Sequence, residues 1–324
     1  MCVGSEWYNR DELLVQAVRR SGWAPPAEPC IPGLADWQEL RRGGQGVVYS
    51  ATQLSTRRRV AVKILLSGSL ASRAQLHRFE REIDVSAGFQ HPHIVRLYDR
   101  GLTEQGLPYY VMELIDGENL EEHLGLAGPA SDPQRARPAV RDALQLLAKV
   151  CDAVGYAHER GVIHRDLKPG NIVIDRAGEP HVLDFGLARS VLTGGLGTST
   201  VMSQTGDFLG TLPWASPEQA DGRPERIDAR SDVYALGVIL FQALTGRLPY
   251  PVGTLPEAIE SIRHVDPPRP STIMGHGRSG REIGAELDAI VLKCLAKEPQ
   301  RRYRNAGELA RDIDRYLRGE PIEA

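Results

Sequence analysis

"HRDLKPGN", residues 164–171, sets a carboxylate, an ammonium and an amide at fixed offsets in one short loop: Asp166, Lys168 and Asn171. A hydroxyl that attacks a phosphate needs an oriented carboxylate, a cation near the moving phosphoryl group and an oxygen ligand for a metal ion. This loop offers all three, at a spacing that a merely solvated charged loop has no reason to keep. Downstream, "PHVLDFGLAR" (180–189) sets Asp184 just after the apolar pair Val182-Leu183. Its carboxylate is a second oxygen ligand suited to a hard cation between phosphates.

Working upstream, "VAVKIL" (60–65) brackets Lys63 with Val60, Val62, Ile64 and Leu65. Its ammonium either neutralises an anion or, on an edge strand, keeps its head in water. Ahead of it lies "LRRGGQGVVYSA" (40–51), which nearly fits G-x-G-x-x-G-x-V. Gly43, Gly46 and Val48 fill the second, third and last fixed places, and Gly44 adds freedom; Arg41 stands where the first glycine belongs. Such loops bind phosphate through backbone N–H groups that glycines allow to come close. The interval from Val48 to Lys63 fits a hairpin whose second strand follows the loop.

The remaining texture divides the chain. "NRDELLVQAVRRSG" reads as a short amphipathic helix and "APPAEPCIPG" as a Pro-rich linker, so residues 1–36 form an N-terminal extension. From Trp37 the chain turns β-rich, with "HIVRLYDRG" and "PYYVMELI" as further strands and "RAQLHRFEREIDVSAGF" as a helix. After "DGENLEEHL" helices dominate. "AVRDALQLLAKVCDAVGYAHERG" is long and periodic, "SDVYALGVILFQALTG" is apolar all round and reads as buried, and "ELDAIVLKCLAKEPQRRY" reads as one helix before a last one. The Gly/Ser/Thr-rich "TGGLGTSTVMSQTGD" is expected to be mobile.

Bulk properties exclude several classes. With 41% hydrophobic and 25% charged residues the chain is that of a globular protein able to bury a core. A net charge of -3 argues against a nucleic-acid partner. The four cysteines are scattered, with no C-x-x-C, as in a reducing compartment. No stretch approaches roughly 18 uninterrupted apolar residues, so no membrane span is expected in this chain.

Taken in order, "VAVKIL", "HPHIVRLYD", "YVMELIDG", "HRDLKPGNIVI", "LDFGLAR", "GTLPWASPEQ", "SDVYALGVIL" and "KEPQRRY" resemble the eukaryotic-like (Hanks-type) serine/threonine protein kinases, especially their bacterial branch. The likeness runs from about Trp37 to Leu317. It implies an α+β, bilobal fold: a small mainly-β N-lobe with one key helix (37–115), a larger mainly-α C-lobe (116–318), and a tail (319–324). It implies ATP held between the lobes with Mg²⁺, Mn²⁺ being an alternative. By the same likeness Lys63 meets the α/β-phosphates and pairs with Glu82, with Glu80 as the fallback. Val48 and Ala61 roof the adenine and Val173 floors it. Met112 is the gatekeeper, and the backbones of Glu113 and Ile115 bind the adenine edge. Asp166 is the catalytic base, Lys168 steadies the γ-phosphate, and Asn171 and Asp184 hold the metal. Glu218 is expected to meet Arg302, Asp232 to brace the catalytic loop, and Thr211 to bond the catalytic Asp and Lys.

Arg165, before the catalytic base, marks in that family kinases switched by phosphorylation, and the resemblance points to Ser203 and Thr205 as autophosphorylation sites, Thr205 first. Implied partners are Ser/Thr-bearing proteins and a second copy of the chain for phosphorylation in trans. The location implied is cytoplasmic, although many related bacterial kinases continue into a linker, a membrane span and a sensor domain. Two other classes share part of the pattern. A small-molecule phosphotransferase of similar fold would normally lack "GTLPWASPEQ"; a scaffold without turnover would have Arg41 as its only support.

Overall fold

Alternation between two apolar faces builds the first sheet. Five antiparallel strands lie in the order β1-β2-β3-β5-β4: β1 Leu34–Gly43, β2 Gly46–Gln53, β3 Arg58–Leu65, β4 Leu97–Leu102 and β5 Pro108–Glu113. Val47, Tyr49, Ala51, Val60, Val62, Ile64 and Val111 point to one face and form a core with Leu107 and Ile31. The intervening residues point to the other face. The computed structural model describes residues 29–43, 46–65, 81, 83–126, 139–185, 211–251, 253–274 and 283–324.

The core corrects the reading of the N-terminal segment. Ile31, assigned to a linker, is 4% exposed within the sheet core, and β1 begins at Leu34 rather than after Trp37. The Gly33 carbonyl accepts from Leu54 N–H, tying this segment to the end of β2. The helix expected at 9–22 lies outside the described residues.

The chain divides into two compact units. The first contains the five-stranded sheet; the second takes Gln90–Ile94, Asp116–Gly186 and Leu209–Ala324. In the second unit β6 (Gly117–Asn119), β7 (Ile172–Asp175) and β8 (Pro180–Val182) form a small antiparallel sheet among helices. These are α1 Leu120–His123, α2 Val140–Glu159, α3 Pro217–Ala220, α4 Ala229–Thr245, α5 Leu255–His264, α6 Pro270–Met274, α7 Ala285–Cys294 and α8 Ala306–Arg318. Asp228 caps α4, which is buried along nearly its whole length as its composition predicts, and Gly246 ends it in a left-handed turn.

Two expectations about element bounds change. "HIVRLYDRG" becomes a strand only from Leu97, because His93 and Ile94 pair instead with Val182 of the second unit. The helix predicted over "ELDAIVLKCLAKEPQRRY" stops at Cys294, and Pro299–Arg301 makes a separate 3₁₀ turn. Side chains from this non-helical stretch do tertiary work. Lys297 Nζ donates to the carbonyls of Ser261 and Ile262 at the end of α5 and to Tyr250 Oη, 4.2 Å above that ring. After α8, Gly319 turns the chain back: Glu323 N–H donates to buried Asp312, and its carbonyl accepts from Lys293 Nζ.

Candidate active site

In the first unit, β3 is paired on both sides, by β2 and β5, so Lys63 is not an edge-strand lysine. It is 8% exposed, and an ammonium so buried requires compensating partners. Arg41, Val48, Lys63 and Tyr110 are successive partners across β1, β2, β3 and β5, and therefore share one face. Ala61 pairs with Met112 on that same face, two residues along. Gly43 pairs with Gly46, leaving a two-residue connection at 44–45. A Cβ on Gly46 would collide with the carbonyl oxygen of Ile64, so only glycine lets β2 lie this close to β3. Glu113 N–H is taken by the Arg96 carbonyl, and Ile115 follows the strand. Gly44, Glu80 and Glu82 lie outside the described residues.

The second unit brings the other predicted residues together. Asn171 Nδ2 donates to both the backbone carbonyl (2.8 Å) and the Oδ2 (3.1 Å) of Asp166. Lys168 Nζ lies 3.2 Å from Asp166 Oδ2 and donates to Thr211 Oγ1 at 2.9 Å. The Asp166 carboxylate is thus aimed from two sides while remaining partly accessible. Asn171 and Asp184 are joined through the chain, since Leu183 N–H donates to the Asn171 carbonyl. With its amide protons given to Asp166, Asn171 offers its Oδ1, and Asp184 offers a carboxylate. This all-oxygen donor set fits a hard divalent cation. Val173 sits on β7, paired with Asn119 and His181. Ser203 and Thr205 lie outside the described residues.

The loop is held in a costly backbone conformation. Arg165 has φ 66° and Asp184 φ 58°, left-handed values that side chains other than glycine rarely adopt. Arg165 is fixed at both ends: its N–H donates to Asp232 Oδ1 (2.8 Å) and its carbonyl accepts from Gln219 Nε2 (2.8 Å). Asp232 Oδ2 accepts from His164 N–H (2.7 Å) and from His158 Nε2 (2.8 Å). Burial alone would raise the Asp232 carboxyl, but the hydrogen bond and charge of His158 outweigh it and hold the group below its usual range. His164 Nε2 in turn meets the Leu183 carbonyl at 2.8 Å, and its ring packs 4.9 Å from Phe185.

Beneath the loop, Glu218 and Arg302 form the expected pair, bidentate at 2.8 and 3.0 Å, with Ser231 Oγ donating to Glu218 Oε1 at 2.6 Å. Burial pushes the Glu218 carboxyl up, yet Arg302 and Ser231 more than offset it and keep it low. The sequence reading missed Gln219. Its signal was the S-x-x-Q of "SPEQ", a capping box that the structure forms between Ser216 and Gln219. It also missed Leu40, the extra residue of a β1 bulge, 49% exposed beside Arg41.

A lysine-bearing sheet face and a glycine hairpin in the first unit, and a braced Asp-Lys-Asn loop in the second, are features of the protein-kinase class. The chain matches the protein kinase domain over residues 35–312 and belongs to that family, in its bacterial serine/threonine branch. It is 39% identical over 302 residues to the serine/threonine-protein kinase PknB of Mycobacterium leprae, covering 90% of this chain and 45% of that protein. The PknB of Mycobacterium tuberculosis is 40% identical over 286 residues, covering 87% and 42%. The chain therefore spans less than half the length of these relatives. The crystal structure of the M. tuberculosis PknI kinase domain superposes with a TM-score of 0.67 at 26% identity, covering 91% of this chain and all of that one. The family implies ATP and a divalent metal.

Proposed function

We propose that this chain is a serine/threonine protein kinase that transfers the γ-phosphoryl group of MgATP to Ser and Thr hydroxyls of proteins. The observation that carries the reading is the Asp166 carboxylate, oriented by Asn171 and flanked by Lys168, which itself is held by Thr211. Asp166 accepts the proton of the attacking hydroxyl, a role worth about 10²–10⁴ in rate. Lys168 balances charge on the moving phosphoryl group and Lys63 the charge nearer the nucleotide. Asn171 and Asp184 would hold Mg²⁺, or Mn²⁺ in its place; bound there, the metal neutralises phosphate charge.

The reading extends to regulation. Arg165, beside the base, would receive a phosphate placed at Thr205 or Ser203 by a second copy of the chain, ordering the segment through charge-assisted hydrogen bonds. The site of action is the cytoplasm, where MgATP is available. Among the described residues no helix is long and apolar enough to cross a membrane.

Incubation with radiolabelled ATP and a Ser/Thr protein tests this, with phosphopeptide mapping of the chain itself. Wild type should label, and Asp166→Ala or Asp184→Ala should lower kcat by at least about a hundredfold at an unchanged thermal midpoint. Retention of more than about a tenth of kcat by either variant would sink the assignment. Phosphate confined to residues 1–36 would remove the proposed switch.

A further inference from the structure

One side chain grips the peptide group that leads into Asp166. Gln219, 7% exposed, stands in the single turn of α3. Its Oε1 accepts the backbone N–H of Ser216 at 3.0 Å and the Ser216 hydroxyl at 3.2 Å. A backbone N–H only donates, so the atom it meets is the amide oxygen and the amide nitrogen must face away. There Nε2 donates to the Arg165 carbonyl at 2.8 Å. The peptide group between Arg165 and Asp166 is thus held at both edges, its oxygen by Gln219 and its N–H by His164 Nδ1 at 3.3 Å. That Nδ1 accepts because the ring gives its Nε2 proton to the Leu183 carbonyl. The grip has a fixed base, since the neighbouring Glu218 locks α3 to Arg302.

We propose that Gln219 is a positioning residue whose side-chain amide sets the aim of Asp166 and keeps it in register with the segment 211–220. That segment meets the catalytic loop at two points on either side of Asp166: Thr211 holds Lys168, and Gln219 holds Arg165. Any rocking of the peptide group between Arg165 and Asp166 swings the Asp166 side chain with it. Arg165, at φ 66°, sits in a backbone well that persists only while its surroundings over-determine it. Without the Nε2 donor the peptide group is held at one edge only. Asp166 then samples orientations unsuited to proton acceptance, while the lysine-bearing sheet is untouched. The effect therefore falls on kcat and not on the KM for ATP. The activity readout rests on the kinase reading above; the structural link does not.

Three substitutions separate the bond to the loop from the helix cap. Gln219→Met keeps the length of the side chain and removes the donor. Ser216→Ala removes the cap hydroxyl and leaves the backbone N–H that orients Gln219. Gln219→Glu keeps an acceptor for Ser216 and has a donor for the Arg165 carbonyl only when protonated. For each variant kcat, KM for ATP, thermal midpoint and the carbonyl-carbon NMR shift of Arg165 are measured. In Gln219→Met, kcat should fall about tenfold with KM for ATP within about twofold, and the Arg165 signal should move as for a carbonyl that has lost a hydrogen bond. Ser216→Ala should keep kcat within about threefold at a similar loss of thermal midpoint. Gln219→Glu should be about as slow as Gln219→Met at about pH 8 and recover relative to wild type toward about pH 6, a test that stands even if the Met variant does not fold. Equal kcat losses in Gln219→Met and Ser216→Ala that track the thermal midpoint would overturn the proposal. So would an unmoved Arg165 signal in Gln219→Met, or a ratio of Gln219→Glu to wild type that stays constant with pH. A moved Arg165 signal in a protein whose wild type phosphorylates nothing would support the link and discard the kinase reading instead.

Discussion

Arg41 shows what a single residue can tell. It occupies a place where a glycine was expected, yet the ladder resumes at it, just after the bulge at Leu40, with Arg41 paired to Val48. Its side chain leaves from the face that bears Lys63, so it adds positive charge to a surface suited to phosphate rather than disrupting it. Arg41→Gly is therefore expected to raise the KM for ATP by no more than about tenfold, equivalent to about 1.4 kcal/mol. Steady-state kinetics at fixed peptide and varied ATP check this; an inactive wild type restored by Arg41→Gly would show the loop to be damaged. At this scale the sequence was informative because spacing carries the chemistry. Asp166, Lys168 and Asn171 converge within one loop, where local offsets fix the geometry. Gln219 escaped notice because its target, the Arg165 carbonyl, lies 54 residues away in the chain.

Elements were legible where their period was clean. The α2 and α4 helices follow the patterns that predicted them, one amphipathic and one apolar all round. The start of the β1 strand was not legible, since register shifts at Ala35–Gln38 and Glu39–Arg41 break its alternation and most of its residues are exposed. The last turns assigned to α7 failed for another reason: Lys297 gives its protons to carbonyls of α5, and Arg302 takes the Ala296 and Lys297 carbonyls that a continuous helix would use itself. Lys297 makes a pH-dependent element. Burial lowers its ammonium from the ordinary 10.5 to about 8. Between those values the unfolded chain keeps a proton that the folded protein has lost, so this group's contribution to stability grows with pH. Buried Cys151 and Cys294 are raised and act in the opposite direction at alkaline pH, but they cancel in a comparison with Lys297→Met; Tyr250, which touches Lys297, is raised to about 12 and opposes only from its ordinary 10 upward, at the top of the window. Denaturant midpoints of wild type minus Lys297→Met should rise from about pH 8 to about pH 10. A flat difference would mean that Lys297 is not desolvated.

On the scale of the whole molecule, buried charges decide where the second unit holds together. Glu218, Ser231 and Arg302 join α3, α4 and the turn before α8. Removing one partner of a buried pair strands the other, so Arg302→Ala should cost roughly 3–5 kcal/mol. Both Glu218 and Asp232 have folded values below their ordinary 4.5 and 3.8. Their stabilisation is complete above those ordinary values and is lost as pH falls through the lower folded ones. Acid denaturation followed by circular dichroism should be shallower in Glu218→Gln than in wild type; identical acid limbs would rule this out. None of this cross-linking was visible as pattern, though family likeness named the Glu218–Arg302 partners. Ile31 was invisible to both, because one apolar residue among prolines has no period and only the finished sheet gives it a place.

The returning tail also gives the molecule a mechanical grain. Glu323 is clipped through its backbone to Asp312 and Lys293, with its carboxylate on Arg315, while Glu320 N–H returns to the Arg315 carbonyl. A pull on Ala324 directed away from α8 loads these bonds one after another, as a zipper opens, and not all at once. Stretched between handles in a force instrument, the chain should lengthen first in a small step. Six residues at full extension amount to about 20 Å, and that step should come before the catalytic half of the protein yields.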